Sequence, residues 1–575
     1  MHSTMKRFSV VLIVFSLALA ARAQTDTNAV AVPAETNAPA LQPGANTVAV
    51  PTNTTQVTTQ TDANTPAAPG VTNAPAPSPG TNATAGATNT NARAMSLQDC
   101  IQEALQHNFD VQIQRYNPRL ALYSLRGAYS GYDPTFNISG EHKWNSGSLQ
   151  TNGYVPLGSS NTLLYPRANS DENIFTSDLG GSLPWGLGYD FKAGVDQNYG
   201  PNYSGTTNLT SSLYKNTQSS IEADLTQHLL KDFWIDNTRL TIKLDKNKLK
   251  SSEQGLRQQF INTVTAVENA YYELIYAQDN VKVQQEALEL AQTQLNQDNQ
   301  RVQIGTLAVL SVQQDNAQVA QNQANLIAAQ YALVTDQNTL KNLLTDVYAQ
   351  WHDMDIQPTA PLTAPLQLFD LQASWEKGMT ERPDLLQARL TVENQGIQLK
   401  FDRNQLFPSL DLKGSYGYGG GGRQYSDTLG QINSGNQPYY SYGAQLSIPL
   451  SNVGPRNTYN SDKVTLQQYM LQLKQLEQNI LVEIDNAVKQ AQSDYQSVEA
   501  TKQARIYAEA ALDAEQKTYA VGKATTFEVL QYQNNLTAAR SQEIRKLADY
   551  NEALANLAAQ EGSTLERNSI NIEAK

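Results

Sequence analysis

Apolar residues along this chain recur at two spacings, and the switches between them divide it into elements. From Met95 to Tyr129 the residues Leu97, Ile101, Leu105, Val111, Leu120, Leu122 and Leu125 follow a helical period, with Ser96 as N-cap and Asp99 placed for a variant of the capping box. Gly131 and Pro134 end that helix. The period then becomes two: Phe136, Ile138 and Gly140 alternate with Asn137, Ser139 and Glu141. Three more alternating segments follow. The first carries Leu179, Gly181, Leu183 and Trp185; the second carries Leu187, Tyr189, Phe191, Ala193 and Val195 against Asp190, Lys192 and Asp196; the third carries Ile221, Ala223, Leu225 and Leu229 against Glu222, Asp224 and Thr226. Apolar and charged faces over about ten residues, separated by polar loops, are the pattern of outer-membrane barrel strands. A soluble sandwich is the competing reading of those strands alone.

From about Leu240 the helical period returns through Leu249, Leu256, Phe260, Val264, Val267, Tyr271 and Leu274. No proline interrupts it before Gly305, which predicts a helix of about 60 residues, roughly 90 Å long. Helices of that length belong to coiled coils and bundles. Beyond Gly305, Val312, Val319, Leu326, Leu333 and Leu340 recur every seven residues, a seam for packing back on the first helix. Pro358, Pro361 and Pro365 punctuate the chain, and the unit then restarts. A helix is predicted from about Leu368 to Asn404, followed by Phe407–Gly414, which matches Asp133–Gly140 in residue character position by position. A Tyr-Gly stretch ends at Gly422 and leads into a Gly/Ser/Asn loop; a return strand carries Tyr442, Ala444, Leu446, Ile448 and Leu450. A second long helix reaches Gly522, and a last one carries Val529, Leu536, Leu547, Tyr550, Leu554 and Leu557. Gly305 and Gly522 are each followed seven positions later by valine, and each suits the left-handed turn that ends a helix. The chain therefore reads as a duplication, residues 95–357 and 368–565 joined by a connector at 358–367, with one added hairpin in the first half and a tail at 566–575.

The ends and the composition narrow the setting. Lys6 and Arg7 precede an apolar run from Phe8 to Ala20, and Ala21-Arg22-Ala23 fits a cleavage site, so residues 1–23 read as a secretory signal peptide. Residues 24–94, rich in Pro, Thr, Asn and Ala, read as a disordered linker. No later run is long enough for a transmembrane helix, so a membrane-embedded form of this exported chain must be β-structure. Cys100 is the only cysteine, which excludes an internal disulfide and suits a buried, inert thiol. The net charge of -13 argues against sequence-independent binding to nucleic acid. The five histidines show no ligand spacing, Gly419–Gly422 reads as a loop at a strand end without the context of a phosphate-binding loop, and no nucleophile-base arrangement has support, so neither a metal, a cofactor nor an enzyme is expected.

Four to six strands cannot close a membrane barrel, and an open sheet would leave unpaired backbone groups in lipid. The strands must close with those of other copies, and the helices continuing from them would then form a shared tube. This arrangement resembles the TolC family of trimeric outer-membrane channels over residues 95–565. The resemblance rests on Tyr519-x-Val-Gly522 with Glu528-Val529-Leu530, on the matching Arg301-x-x-Ile-Gly305 turn, on Arg382–Arg389 and on Leu446–Leu450. It implies an α+β membrane protein: a homotrimer with a barrel in the outer-membrane lipid, continued by a periplasmic α-helical coiled-coil barrel. It further implies export through docking to a periplasmic adaptor protein and an inner-membrane pump, as in tripartite efflux or type I secretion.

The same resemblance places the docking turns (Arg301, Ile304, Gly305, Val521, Gly522) at the periplasmic mouth, where the coils narrow to a gate formed by Tyr519, Glu528, Gln531, Ser311 and Lys523. Glu528 stands where the family has an acidic ring, but it also suits simple complementation of its helix N-terminus. Gln531 replaces the family's second acid, Ser311 an expected acid and Ala524 an expected arginine, so the expected polar latch is incomplete, with Lys523 as a substitute partner. A non-conducting periplasmic coiled-coil spacer or adaptor is the rival reading, disfavoured because a spacer has no need of a lipid-facing sheet. A general diffusion porin is disfavoured by so much helix.

Overall fold

Residues 92–148, 167–204 and 210–570 are described by the structure, a computed structural model. The signal segment, most of the linker segment and the last residues of the tail lie outside the described residues. Ala92–Met95 (β1) pairs in parallel with Asp355–Pro358 (β6), so the last three residues of the stretch read as linker belong to a strand. Ser96 caps Leu97–His107 (α1) in a complete capping box with Asp99. The single helix expected from Met95 to Tyr129 is three: α1, Phe109–Gln114 (α2) and Tyr116–Ala128 (α3), closed by a 3-10 turn at Tyr129–Tyr132. Asn108 makes the first break, since its backbone is extended and its side-chain oxygen accepts from the Asp110 and Val111 amides. Likewise the helix expected from Leu368 to Asn404 is Leu371–Glu381 (α7) and Pro383–Gln405 (α8). Proline at 383 forces the preceding Arg382 out of the helical region, to ψ 123.

Six strands form one antiparallel sheet in the order β2-β3-β4-β5-β7-β8. They are Thr135–Ser148 (β2), Arg167–Ser182 (β3), Leu187–Ser204 (β4), Thr210–His228 (β5), Ser409–Gly422 (β7) and Pro438–Ser447 (β8). The added hairpin, β3–β4, thus lies within the wall between β2 and β5. Register aligns one row across all six strands, Phe136-Leu179-Phe191-Ala223-Tyr416-Tyr440. The adjacent row on the other face is Asn137-Asp178-Lys192-Glu222-Gly417-Tyr439. One face is therefore apolar and aromatic and the other mainly polar, as a wall between lipid and water requires.

Two expectations about this sheet need correction. Leu183 and Trp185 are in the β3–β4 turn, which closes through Gly186 at φ +85, rather than in a strand. Gly419–Gly422 is not a loop but the end of β7, paired with Thr217–Ser220 of β5. The absence of side chains there seats a helix that sequence reading missed, Tyr425–Ser434 (α9), flat against the sheet. A Cβ on Gly420 would meet the Thr428 carbonyl oxygen at 2.4 Å. Gln431 clasps both the amide and the carbonyl of Gly421.

Below the sheet run two helical hairpins. Asn237–Gln303 (α4) has 67 residues and turns at Gly305 into Val309–Leu344 (α5); Val453–Ala520 (α10) has 68 and turns at Gly522 into Thr526–Glu561 (α11). The long arms span about 100 Å at 1.5 Å per residue. Short helices at Tyr348–Trp351 (α6) and Thr564–Arg567 (α12) complete the chain. Nearest the sheet, neighbouring helices run α3-α4-α8-α10; toward the turns they run α5-α4-α11-α10. Four helices therefore stand side by side at either level. Where α1, α4 and α5 meet, Cys100, Ile101, Val264, Tyr271, Leu274 and Leu340 form the largest core cluster. Of the expected α5 seam, Leu326 and Leu340 are buried while Val312, Val319 and Leu333 are half-buried. Asp315, Asn322 and Ala329, seven apart, are buried as well.

Gly305 and Gly522 sit at φ +77 and +72, and a methyl group placed on either would meet nothing within 4 Å. Gly562, which ends α11 at φ +76, instead faces the Glu381–Arg382 backbone at 3.2 Å. Gly522→Ala is expected to cost only the left-handed strain, about 1–2 kcal/mol of local stability. Gly562→Ala adds a collision with backbone and should cost clearly more. Amide hydrogen exchange near each site would rank the two; equal effects would refute the assignment.

Candidate functional site at the hairpin turns

The two turns lie side by side because α4 and α10 are matched in length and both hairpins reverse at a glycine. Around them large apolar side chains stand out into solvent: Ile304 is 74% exposed, Val521 69%, Leu310 69% and Phe527 61%. Directly behind this surface lies a buried polar cluster. Tyr519, on the last turn of α10, donates its hydroxyl to Asp298 Oδ1 at 2.6 Å and lies 3.0 Å from Thr526 Oγ1. Thr526 and Gln294 donate to Asp298 Oδ2 at 3.3 and 2.9 Å. The Arg301 guanidinium stacks 4.4 Å from the Tyr519 ring centroid, with Nη1 4.0 Å from Asp298 Oδ1. Asp298 on α4 thus ties the first hairpin to the second through α10 and α11.

Asp315 faces it from α5. Its side chain is buried, and neither carboxyl oxygen has a hydrogen-bond donor among the described residues. Burial, then the adjacent Asp298 carboxylate, pushes the Asp315 carboxyl up to about 7. A proton on Asp315 is the donor that lets two carboxylates share one dry site. Burial and the bond to Asp298 raise the Tyr519 phenol as well. Below the polar cluster Tyr519 packs with Leu512, Val529 and Leu536, and Ala524 adds to this apolar group.

The residues singled out from sequence fall on both sides of this cluster. Tyr519 and Arg301 are in it. Ile304, Gly305, Val521 and Gly522 form the exposed tips. Glu528 caps α11: its Oε2 accepts from the Thr525 amide at 2.8 Å and hydroxyl at 2.9 Å, which holds its carboxyl below the usual range. Gln531 lines a groove between α5 and α11 with Phe527, Gln314 and Gln318. Lys523 is exposed and forms no ion pair among the described residues, and Ser311 is half-buried. The acids that hold Tyr519 were missed. The available signal was Asp298 seven residues after Ala291, on the stripe that α4 buries, and Asp315 seven before Asn322.

The family model for the outer membrane efflux protein matches residues 100–345 and 378–563. The chain belongs to this family. It is 23% identical over 339 residues to the outer membrane protein TolC of Vibrio cholerae, covering 57% of this chain and 74% of that one. It is 26% identical over 291 residues to TolC of Escherichia coli, covering 49% and 57%. Among solved structures, the outer-membrane channel OprN superposes with a TM-score of 0.59 at 15% identity, covering 81% of this chain and 90% of that one. The Campylobacter jejuni CmeC channel gives 0.57 at 14%, covering 83% and 90%. As an outer membrane efflux protein, the chain is a channel rather than an enzyme, set in the outer membrane with its helices in the periplasm.

The Asp298–Asp315 pair carries a pH dependence. The Asp315 proton is held more tightly in the folded chain than at the ordinary 3.8. Its stabilisation is therefore complete below that value and is lost as pH rises toward 7. Protection factors of the Tyr519–Val529 amides should fall between pH 4 and 7, and Asp315→Asn should flatten that profile. An unchanged profile in the variant would show that the pair is not its source. Tyr519→Phe strips Asp298 of its shortest partner, at a cost of about 1–3 kcal/mol in the same region.

Proposed function

We propose that three copies form the exit duct of a tripartite efflux or type I secretion system. The duct passively conducts substrate handed over by a periplasmic adaptor and an inner-membrane pump. One observation carries this reading: the end of the helices farthest from the apolar sheet presents bare apolar turns, a surface that suits docking rather than solvation. Assembly from copies is supported by the outer helices of the row of four. On α3, Tyr116, Leu120 and Tyr123 are 61–64% exposed at spacings of four and three. On α5, Ile327, Tyr331 and Val334 repeat that spacing, and α10 exposes Val464 and Leu471 on the opposite margin. Stripes at coiled-coil spacing on both margins suit pairing with a neighbouring copy.

Glu528, Gln531, Tyr519, Ser311 and Lys523 are the proposed gate, and Arg301, Ile304, Gly305, Val521 and Gly522 the proposed docking turns. Tyr519 acts from behind, by fixing the position of its turn, whereas Glu528 stands exposed and ionised beside it. Several like charges around a narrow mouth would favour cations.

Two experiments test this. Ile304→Asp with Val521→Asp should abolish drug or protein export in cells while the outer-membrane level of the protein stays normal; unimpaired export would remove the turns as the docking surface. In planar bilayers the purified protein should give small, cation-preferring currents that lose their preference in Glu528→Ala. Large currents indifferent to that change would keep the channel and discard Glu528 as its filter, and no current from folded protein would favour a spacer.

A further inference from the structure

The β3–β4 hairpin changes the width of the sheet relative to the helices beneath it. Outside the hairpin, each strand connects directly to one helix of the upper row. α3 leads through its 3-10 turn into β2, β5 leads into α4, α8 into β7 and β8 into α10. The helix row α3-α4-α8-α10 thus lies in the same order as β2-β5-β7-β8. The hairpin is inserted over the α3–α4 seam, so that six strands stand above four helices.

Simple spacing shows what this insertion does. Six strands about 4.8 Å apart, tilted 35–45°, occupy about 35–41 Å of circumference. Four upright helices 8–10 Å apart occupy about 32–40 Å. Without the hairpin, four strands would occupy only about 23–27 Å by the same spacing and tilt. The hairpin brings the arc of the sheet up to the arc of the helices. It also belongs to the lipid-facing wall, because Leu179 and Phe191 stand in the middle of the unbroken apolar row.

Among the described residues the sheet ends in two unpaired edges, β2 and β8, and all ten residues of β8 are exposed. Within lipid those edges need partners. A second copy supplies one that continues the same row, since Tyr440 closes it on β8 and Phe136 opens it on β2.

Resting on the trimeric duct proposed above, we infer that β8 of each copy pairs with β2 of the next, closing an eighteen-stranded barrel as wide as the helical tube below it. Three arcs of this size give a backbone diameter of about 33–39 Å, and about 25 Å of bore after side chains line it. The duct does not narrow on entering the membrane. Its size limit lies at the periplasmic turns, and the barrel admits bulky cargo, including polypeptide.

Electron cryomicroscopy of the mature full-length protein in lipid nanodiscs tests this directly. Eighteen strands around a threefold axis, with no step in bore at the strand-helix junction, is the expected result. A twelve-stranded ring with the hairpin turned out of the wall, a step down in bore at the junction, or a ring of another copy number would overturn it. The first two of these outcomes leave the trimeric duct standing. Particles with no helical tube would overturn the duct reading itself.

Discussion

In a bilayer a backbone amide has no water to bond, so every strand must find a neighbour on both sides. That constraint organises this molecule. The six-stranded sheet satisfies its interior strands and leaves β2 and β8 open, and the remaining features are arranged around that incompleteness. Strands flow into helices in the same lateral order, so whatever closes the sheet also sets the circumference of the helices. The margins of the helix row expose apolar stripes for the same reason that the margins of the sheet expose unpaired backbone. On the trimer proposed above, a single copy is one segment of a wall.

The far end obeys a different rule. The helices are polar on most faces, and their packing near the turns rests on one small apolar group beneath Tyr519 together with the carboxyl pair above it. Burying two acids is costly unless they are bonded or protonated, and a pair that breaks when a partner is removed gives specificity of arrangement more than net stability. Asp298 draws donors from three helices, and this fixes the relative height of the two turns. Glu528, at the same end of the hairpins, is held by its own helix and exposed to water. The two kinds of acid serve neighbouring turns yet answer to opposite physics.

Most of the architecture was legible in the sequence because periodicity records which face is buried. The alternation through Phe136, Phe191, Ile221 and Leu446 marked strands and their lipid face, and Gly305 and Gly522 marked the reversals. What could not be read has physical causes. Asp298 and Asp315 lie on buried stripes, but an acid in a helix otherwise rich in Gln and Asn looks like its solvated side. Asn108 and Arg382 break helices through side-chain capping and the steric demand of the next proline, signals too short to register against a long apolar period. Gly419–Gly422 looked like a loop because four glycines usually do; only the sheet register and the helix lying across them show that missing side chains are the point. The hairpin between β2 and β5 was visible as two extra alternating segments, but its place in the wall depended on pairings that no local pattern encodes.

Cys100 has a consequence for anyone who handles the protein. It is wholly enclosed in the cluster beside Ile101 and Val264, and burial pushes its thiol up to about 12. At neutral pH almost none of it is thiolate, the form that reacts with maleimides or oxidants. The chain therefore comes with a chemically silent background. A cysteine introduced on any strand or turn is the single addressable point on that copy, ready for spin labels, fluorophores or cross-linkers without first removing the native residue.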